Sequence, residues 1–179
     1  MKLQSLQFST YALAEPQENE TVALIEQTYI EAFPKAERRD FLFVKDEPRF
    51  AVYVFYYEGQ YVGFITAWTF DLFVFVEHFA IDKSFRGRGL GGLVMKLFMC
   101  QTPLPLVLEV ELPKDEQSVR RIDFYKRLCF VVLPQEYSQP PYRNGDEWLP
   151  MHLMAYPDVP FEDVKRVIHR VVYGVREVQ

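Results

Sequence analysis

Cysteine is nearly absent: Cys100 and Cys129 are the only two in 179 residues. Cys100 stands beside Met99 in a helix-patterned run and Cys129 between Leu128 and Phe130, so both read as small core residues. Their spacing offers neither a zinc site nor a disulfide framework. Excess positive charge is lacking too. Twenty basic and twenty-five acidic residues leave a net charge of −5, which argues against nucleic acid as the main partner, because phosphate backbones are met by basic surfaces. An acidic surface suits a cationic or neutral small substrate. No apolar run reaches the ~18 residues of a membrane span. Met1–Thr10 has no basic stretch leading into a long apolar one, so no signal peptide is expected. The expectation is a cytoplasmic protein without a membrane partner. Internal repeats, low-complexity segments and long linkers are missing as well, which predicts one domain over residues 1–179.

What is present is ordinary in hydrophobic content, at 49%, and rich in aromatics, at 16%. A bulky core or an aromatic-lined pocket follows. The chain is long enough for a substantial core. Its pattern predicts a strand near Leu3–Phe8 and a helix over Glu20–Phe33, which Pro34 stops. A short charged helix is expected over Lys35–Val44. Phe50–Tyr57 and Gln60–Phe70 flank the turn signal Glu58-Gly59 and read as a hairpin. Phe73–Ile81 extends it to an antiparallel meander. A helix over Leu90–Gln101, a strand over Leu106–Leu112, a helix over Asp115–Leu128 and a strand over Phe130–Leu133 follow. Pro134–Asp146 reads as a loop, with Pro140-Pro141 and Asn144-Gly145 as breakers. A last strand, Leu149–Tyr156, precedes a C-terminal helix marked by Val164, Val167, Ile168, Val171, Val172 and Val175. The fold class is mixed α+β.

Four of the eight glycines fall within six residues, in Arg86-Gly87-Arg88-Gly89-Leu90-Gly91-Gly92. The run joins a strand to a helix. There glycines let backbone N–H groups approach a ligand closely, and the free N–H groups of the helix start favour an anion. Formally Gly87, Gly89 and Gly92 match the dinucleotide fingerprint, with Glu109 about twenty residues on. Against it, Asp82–Arg86 separate the first glycine from its strand, and the preceding elements are hairpins rather than repeated βα units. No Gly-Lys-Ser/Thr follows, which excludes a P-loop. A loop without a ligand is the bland alternative, but Arg86 and Arg88 would then repel each other with no anion nearby.

Arg86-x-x-Gly89-x-Gly91, opening a helix after a strand, resembles the acyl-CoA motif of the GNAT superfamily of N-acetyltransferases. Val107–Glu111 and the run Arg121-Ile122-Asp123-Phe124-Tyr125-Lys126-Arg127-Leu128-Cys129-Phe130, like the family's Phe-Tyr signature, extend the resemblance over most of the chain. It implies a GNAT-like fold: a central, mostly antiparallel, twisted sheet of about seven strands with helices on both faces. Cys129 stands where the family often has glycine, and a changed end of that helix is expected.

The resemblance further implies acetyl transfer from acetyl-CoA to a primary amine, with no metal. Gly87, Gly89, Leu90, Gly91 and Gly92 would cradle the pyrophosphate through backbone N–H groups. Arg86 and Arg88 would add charge-assisted bonds. The backbone of Phe79, Ala80 and Ile81 maps onto the strand that pairs with the pantetheine arm. The attacking ammonium must lose a proton, and Glu77, on that strand, is the leading base; the alternative is a solvated or paired carboxylate. His78 faces the other way and reads as packing. Glu109 and Glu111 share a strand face that the family sets beside the acceptor, so either could bind a cationic substrate or act as base. Tyr125 falls on the signature tyrosine, near the sulfur, as proton donor or as contact. Gln139 and Tyr142, in the stiff loop Tyr137–Tyr142, are candidate substrate contacts; a packed surface loop is the alternative. Acceptors from polyamines and amino acids to small antibiotics and peptide N-termini stay open, as does a homodimer, common in the family. Two rival functions remain: a non-catalytic CoA-binding regulatory module of the same fold, and a nicotinamide-dependent oxidoreductase.

Overall fold

The computed structural model describes residues 6–11, 20–39, 44, 46–143 and 145–175. The chain divides into two units, residues up to Thr69 with Val76–Pro103, and Phe70–Phe75 with the residues from Leu104 onward.

The first unit holds β1 (Leu6–Tyr11), α1 (Glu20–Ala32), β2 (Phe50–Tyr57), β3 (Gln60–Thr69), most of β4 (Val74–Ile81) and α2 (Leu90–Gln101). β1 pairs antiparallel with β2, and β2 with β3. Glu58 and Gly59, with φ of 52° and 77°, form the two-residue link between β2 and β3 that such left-handed residues allow. Every residue of β3 from Tyr61 to Trp68 is buried, which explains its long aromatic and β-branched run. α1 lays Ile25 and Tyr29 on this sheet, in one cluster with Val52, Val54 and Phe64. The first strand runs to Tyr11 rather than ending at Phe8; Leu3–Ser5 of the expected strand, and part of the Met1–Thr10 segment, lie outside the described residues. The expected helix over Lys35–Val44 is a correction. Among the described residues of that span a 3₁₀ turn, Lys35–Glu37, stands in its place, and Arg38 is extended at φ −103° and ψ 125°; residues 40–43 lie outside the description. Lys35–Arg39 has charge but too little apolar periodicity to fasten a helix.

The second unit holds β5 (Leu106–Glu111), α3 (Glu116–Arg127), β6 (Val131–Val132), β7 (Tyr137–Gln139), β8 (Leu149–Tyr156) and α4 (Phe161–Val167), which passes into a π turn over Ile168–Val172. β8 pairs antiparallel with β5, β6 and β7. The opening of β4 belongs here, its Val74 N–H donating to the Pro105 carbonyl at 2.8 Å. Asp115 and Ser118 start α3 with a reciprocal capping box. The strands described number eight rather than about seven; the addition is β7, inside the stretch expected to be loop. Asn144 of that stretch lies outside the described residues. The class is mixed α+β, with mostly antiparallel strands flanked by helices, as expected. Among the described residues no helix is long and apolar enough to cross a membrane.

Both cysteines are exposed rather than buried. Cys100 lies on the outer side of α2. Cys129 follows α3 at φ 68°: it adopts the left-handed conformation glycine usually supplies. The Phe130 N–H returns to the Tyr125 carbonyl at 3.1 Å and the Cys129 N–H to Lys126 at 2.9 Å, so the helix end keeps its usual form. The expected change at this end does not occur.

Candidate active site

The loop between β4 and α2 is built in steps. Asp82 caps a 3₁₀ turn, Lys83–Phe85, accepting from the Ser84 N–H at 2.9 Å. Arg86 is extended, and its Nε–H donates to the Ile81 carbonyl at 2.8 Å, tying the loop to the end of β4. Gly87 and Gly89 then take φ of 73° and 77°, values that admit glycine freely and other residues at a cost. Gly89 immediately precedes α2. The N–H groups of Leu90, Gly91 and Gly92 therefore stand in the first turn, with no carbonyl ahead of them, at the positive end of the helix dipole. Leu90 sends its side chain into the core and offers a ligand only its backbone. The Arg88 guanidinium lies over the Phe85 ring, 5.5 Å from its centroid. Such a loop has the geometry that favours an anion.

Just upstream, Ala80 is buried, and Phe79 and Ile81 are half-buried on β4. A methyl group at Gly63 of β3 would collide with the Ala80 carbonyl oxygen. Gly63 therefore fixes the backbone of the strand segment assigned to the cofactor, and nothing local in the sequence marks it.

The Glu77 side chain is shielded from solvent and takes the paired of its two readings. Its Oε1 accepts from Arg39 Nε at 2.7 Å and its Oε2 from Trp68 Nε1 at 2.9 Å. The Arg39 guanidinium lies 5.3 Å from the Trp68 ring centroid. Burial alone would raise the Glu77 carboxyl, but Arg39 above all holds it below the usual carboxylate range. A buried anion so engaged at both oxygens is a weak proton acceptor. His78 is a core residue, as expected. Its Nδ1 faces the Thr66 hydroxyl at 3.0 Å, and its Nε2 lies 3.0 Å from the Glu37 carbonyl and 3.2 Å from the Tyr29 hydroxyl. Burial lowers its pKa and keeps it neutral, against the pull of Glu77.

In the second unit Glu109 gathers the phenols. The Tyr137 hydroxyl donates to Oε1, and the Tyr173 hydroxyl donates to Oε2 at 2.7 Å. Tyr142 packs against Tyr173, ring centroids 5.1 Å apart and planes tilted by 40°. Burial, and then Glu109, push the Tyr137 phenol far up, so it stays protonated and donates. Glu109 and Tyr142 thus meet as a cluster, joined by Tyr137 and Tyr173. Glu111 stands apart from that cluster, its charge answered by Arg121 of α3. Gln139 is buried on β7. Tyr125 is buried beside Phe124 and Phe130, with ring centroids 5.0 Å and 5.6 Å away. Burial raises its pKa, with Arg121 acting the other way; the phenol keeps its proton at neutral pH.

Sequence reasoning found the glycine loop but missed Arg39, Trp68 and Tyr173. Their partners lie far along the chain, and no motif announces them. Among the described residues no group of three or more His, Cys, Asp or Glu side chains is placed to hold a metal ion.

Residues 18–130 match the model of the acetyltransferase (GNAT) family. YjbC of Bacillus subtilis strain 168, assigned as an acetyltransferase, is 39% identical over 62 residues, which is 34% of this chain and 32% of YjbC; the match thus spans about a third of that relative. A solved structure from Bacteroides thetaiotaomicron, assigned to the GNAT family, is 32% identical with a TM-score of 0.88, over 95% of this chain and 99% of its own. A GNAT acetyltransferase of Elizabethkingia anophelis, solved with acetyl-CoA bound, shares the fold at 15% identity and a TM-score of 0.56, over 84% of this chain and 97% of its own. The motif, the fold and these likenesses agree: the chain belongs to the GNAT family of acetyltransferases.

Proposed function

We propose that the protein transfers the acetyl group of acetyl-CoA to a primary amine by direct attack in a ternary complex. The observation that carries this reading is the loop before α2, with Gly87 and Gly89 left-handed and the helix start open. Its backbone N–H groups suit a pyrophosphate, which needs several donors at once, and Arg86 and Arg88 add charge. The backbone of Phe79–Ile81, held by Gly63, suits the pantetheine arm. An N–H there would polarise the thioester carbonyl. The protonated phenol of Tyr125 suits a donor to the departing thiolate. Neither cysteine supports a covalent acyl-enzyme, since among the described residues neither is bonded to a base. Glu77 positions Arg39 and Trp68 rather than taking the proton, and Glu109 is the carboxylate offered to a cationic acceptor.

Arg86→Ala tests the reading. Loss of one charge-assisted contact, worth about 1.5–3 kcal/mol, lowers acetyl-CoA affinity roughly tenfold to a hundredfold. Calorimetry giving an unchanged Kd would sink the phosphate assignment. Tight acetyl-CoA binding with no thiol release on any amine would replace transfer by the regulatory module.

A further inference from the structure

Thr66 stands on β3 among Phe64, Ile65, Ala67 and Trp68, and is itself fully buried. A hydroxyl in such company must find partners within the protein. They are on β4. The His78 backbone N–H donates to Thr66 Oγ1 at 3.1 Å, and His78 Nδ1 lies 3.0 Å from the same oxygen. A strand N–H ordinarily donates to a carbonyl of the neighbouring strand; here a side chain supplies the acceptor.

The direction of each bond follows from the other end of the ring. His78 Nε2 lies 3.0 Å from the Glu37 carbonyl oxygen, which only accepts, so the proton sits on Nε2. The neutral ring then offers its Nδ1 lone pair to the Thr66 hydroxyl proton. Thr66 thus donates to the ring of His78 and accepts from its backbone. The Tyr29 hydroxyl, beside the ring, accepts from the Arg39 N–H at 2.6 Å. One residue of β4 is therefore tied to β3 through both its backbone and its side chain, and to Glu37 through its far nitrogen.

His78 directly precedes Phe79–Ile81. At the far end of that segment the Asp82 N–H donates to the Val62 carbonyl at 3.0 Å, and the Ile81 carbonyl accepts from Arg86 Nε. In its middle, Gly63 leaves room for the Ala80 carbonyl. Thr66 supplies the anchor at the near end. All of these residues lie in the first unit, with the glycine loop. We propose that Thr66 and His78 are positioning residues for acetyl-CoA, the Thr66 hydroxyl fixing the upstream end of the β4 segment that meets the pantetheine arm. This rests on the reading of Phe79–Ile81 given above. Without the hydroxyl, His78 loses a backbone bond and a ring bond at once, and the segment is released at one end while the glycine loop keeps its own ties.

Three variants separate this role from a structural one. Thr66→Val keeps the shape of the side chain and removes its oxygen; Thr66→Ser keeps the oxygen. Val54→Ala opens a cavity in the core of the same unit and is the control for lost stability alone. By calorimetry, Thr66→Val is expected to raise the Kd for acetyl-CoA about tenfold, with Thr66→Ser within about twofold of wild type and Val54→Ala unchanged. An unchanged Kd in Thr66→Val, a Thr66→Ser as weak as Thr66→Val, or an equal loss in Val54→Ala would each overturn the proposal. A wild-type protein that does not bind acetyl-CoA overturns the transfer reading itself. If Thr66→Val does not fold, amide hydrogen exchange in the wild type decides, because coupling between a bond and a ligand is reciprocal. Saturating acetyl-CoA must slow exchange at the His78 N–H more than at the Val54 N–H, and equal slowing or none overturns the proposal.

Discussion

Cys129 carries a strain that most side chains avoid. An L-residue in the left-handed region costs roughly 1–2 kcal/mol, and at φ 68° this cysteine occupies it with its side chain exposed. Glycine would relieve the clash but lose more freedom on folding. Cys129→Gly is therefore expected to raise stability by about 0.5–1 kcal/mol, a gain of a few degrees in Tm, with acetyl-CoA affinity unchanged. An equal or lower Tm by calorimetry would show that the turn is not strained. The reading of residues from sequence failed here for a definite reason. Three backbone hydrogen bonds close the end of α3, at Leu128, Cys129 and Phe130, and together they outweigh the preference of one side chain.

At the scale of elements, the pairing of β3 and β4 turns on one missing Cβ. Gly63→Ala would drive a methyl into the Ala80 carbonyl, costing about 1–3 kcal/mol in strain and backbone shift. Acetyl-CoA affinity should fall with it, because the displaced segment is the one proposed to meet the pantetheine arm. Retained affinity with reduced stability would uncouple Ala80 from the cofactor. The glycine loop and the exact span of α2, Leu90–Gln101, were legible because their own residues dictate their geometry. Gly63 was not, since its reason lies on a neighbouring strand. β7 was missed for a similar cause: three residues beside two prolines carry no period, and only β8 makes them a strand. The valines from Val164 to Val175 announced a helix, but nothing in them distinguishes a π turn from an α turn.

For the whole molecule, the buried ionisable groups set a dependence on pH. His78 has a folded pKa below its ordinary 6.5. The unfolded chain therefore binds more protons in that window, and stability falls as pH drops from about 6.5 toward the folded value. His169 is lowered as well and adds in the same direction. Glu77 is lowered from 4.5, so its contribution is complete above that value and is lost only as pH falls through the folded one. Tm should decline in two stages on acidification. His78→Phe should flatten the upper stage without removing it, and leave the lower. A wild-type Tm that is level between pH 7 and the Glu77 range would contradict the neutral, buried state of His78. None of these couplings was visible along the sequence, because Arg39 stands 38 positions from Glu77 and Tyr173 stands 64 from Glu109.

The π turn gives the molecule a place where chain length can change without disturbing what lies beyond. A wide turn accommodates one residue more than an α-helix does. Deleting a single residue between Ile168 and Val172 would close it to an α turn and leave the later side chains in register, so that Tyr173 keeps its hydrogen bond to Glu109. The same change in a helix without such a turn would rotate every later side chain by about 100°. Gain or loss of one codon at this point is thus a change in length that the Glu109 cluster, the glycine loop and the strands can absorb.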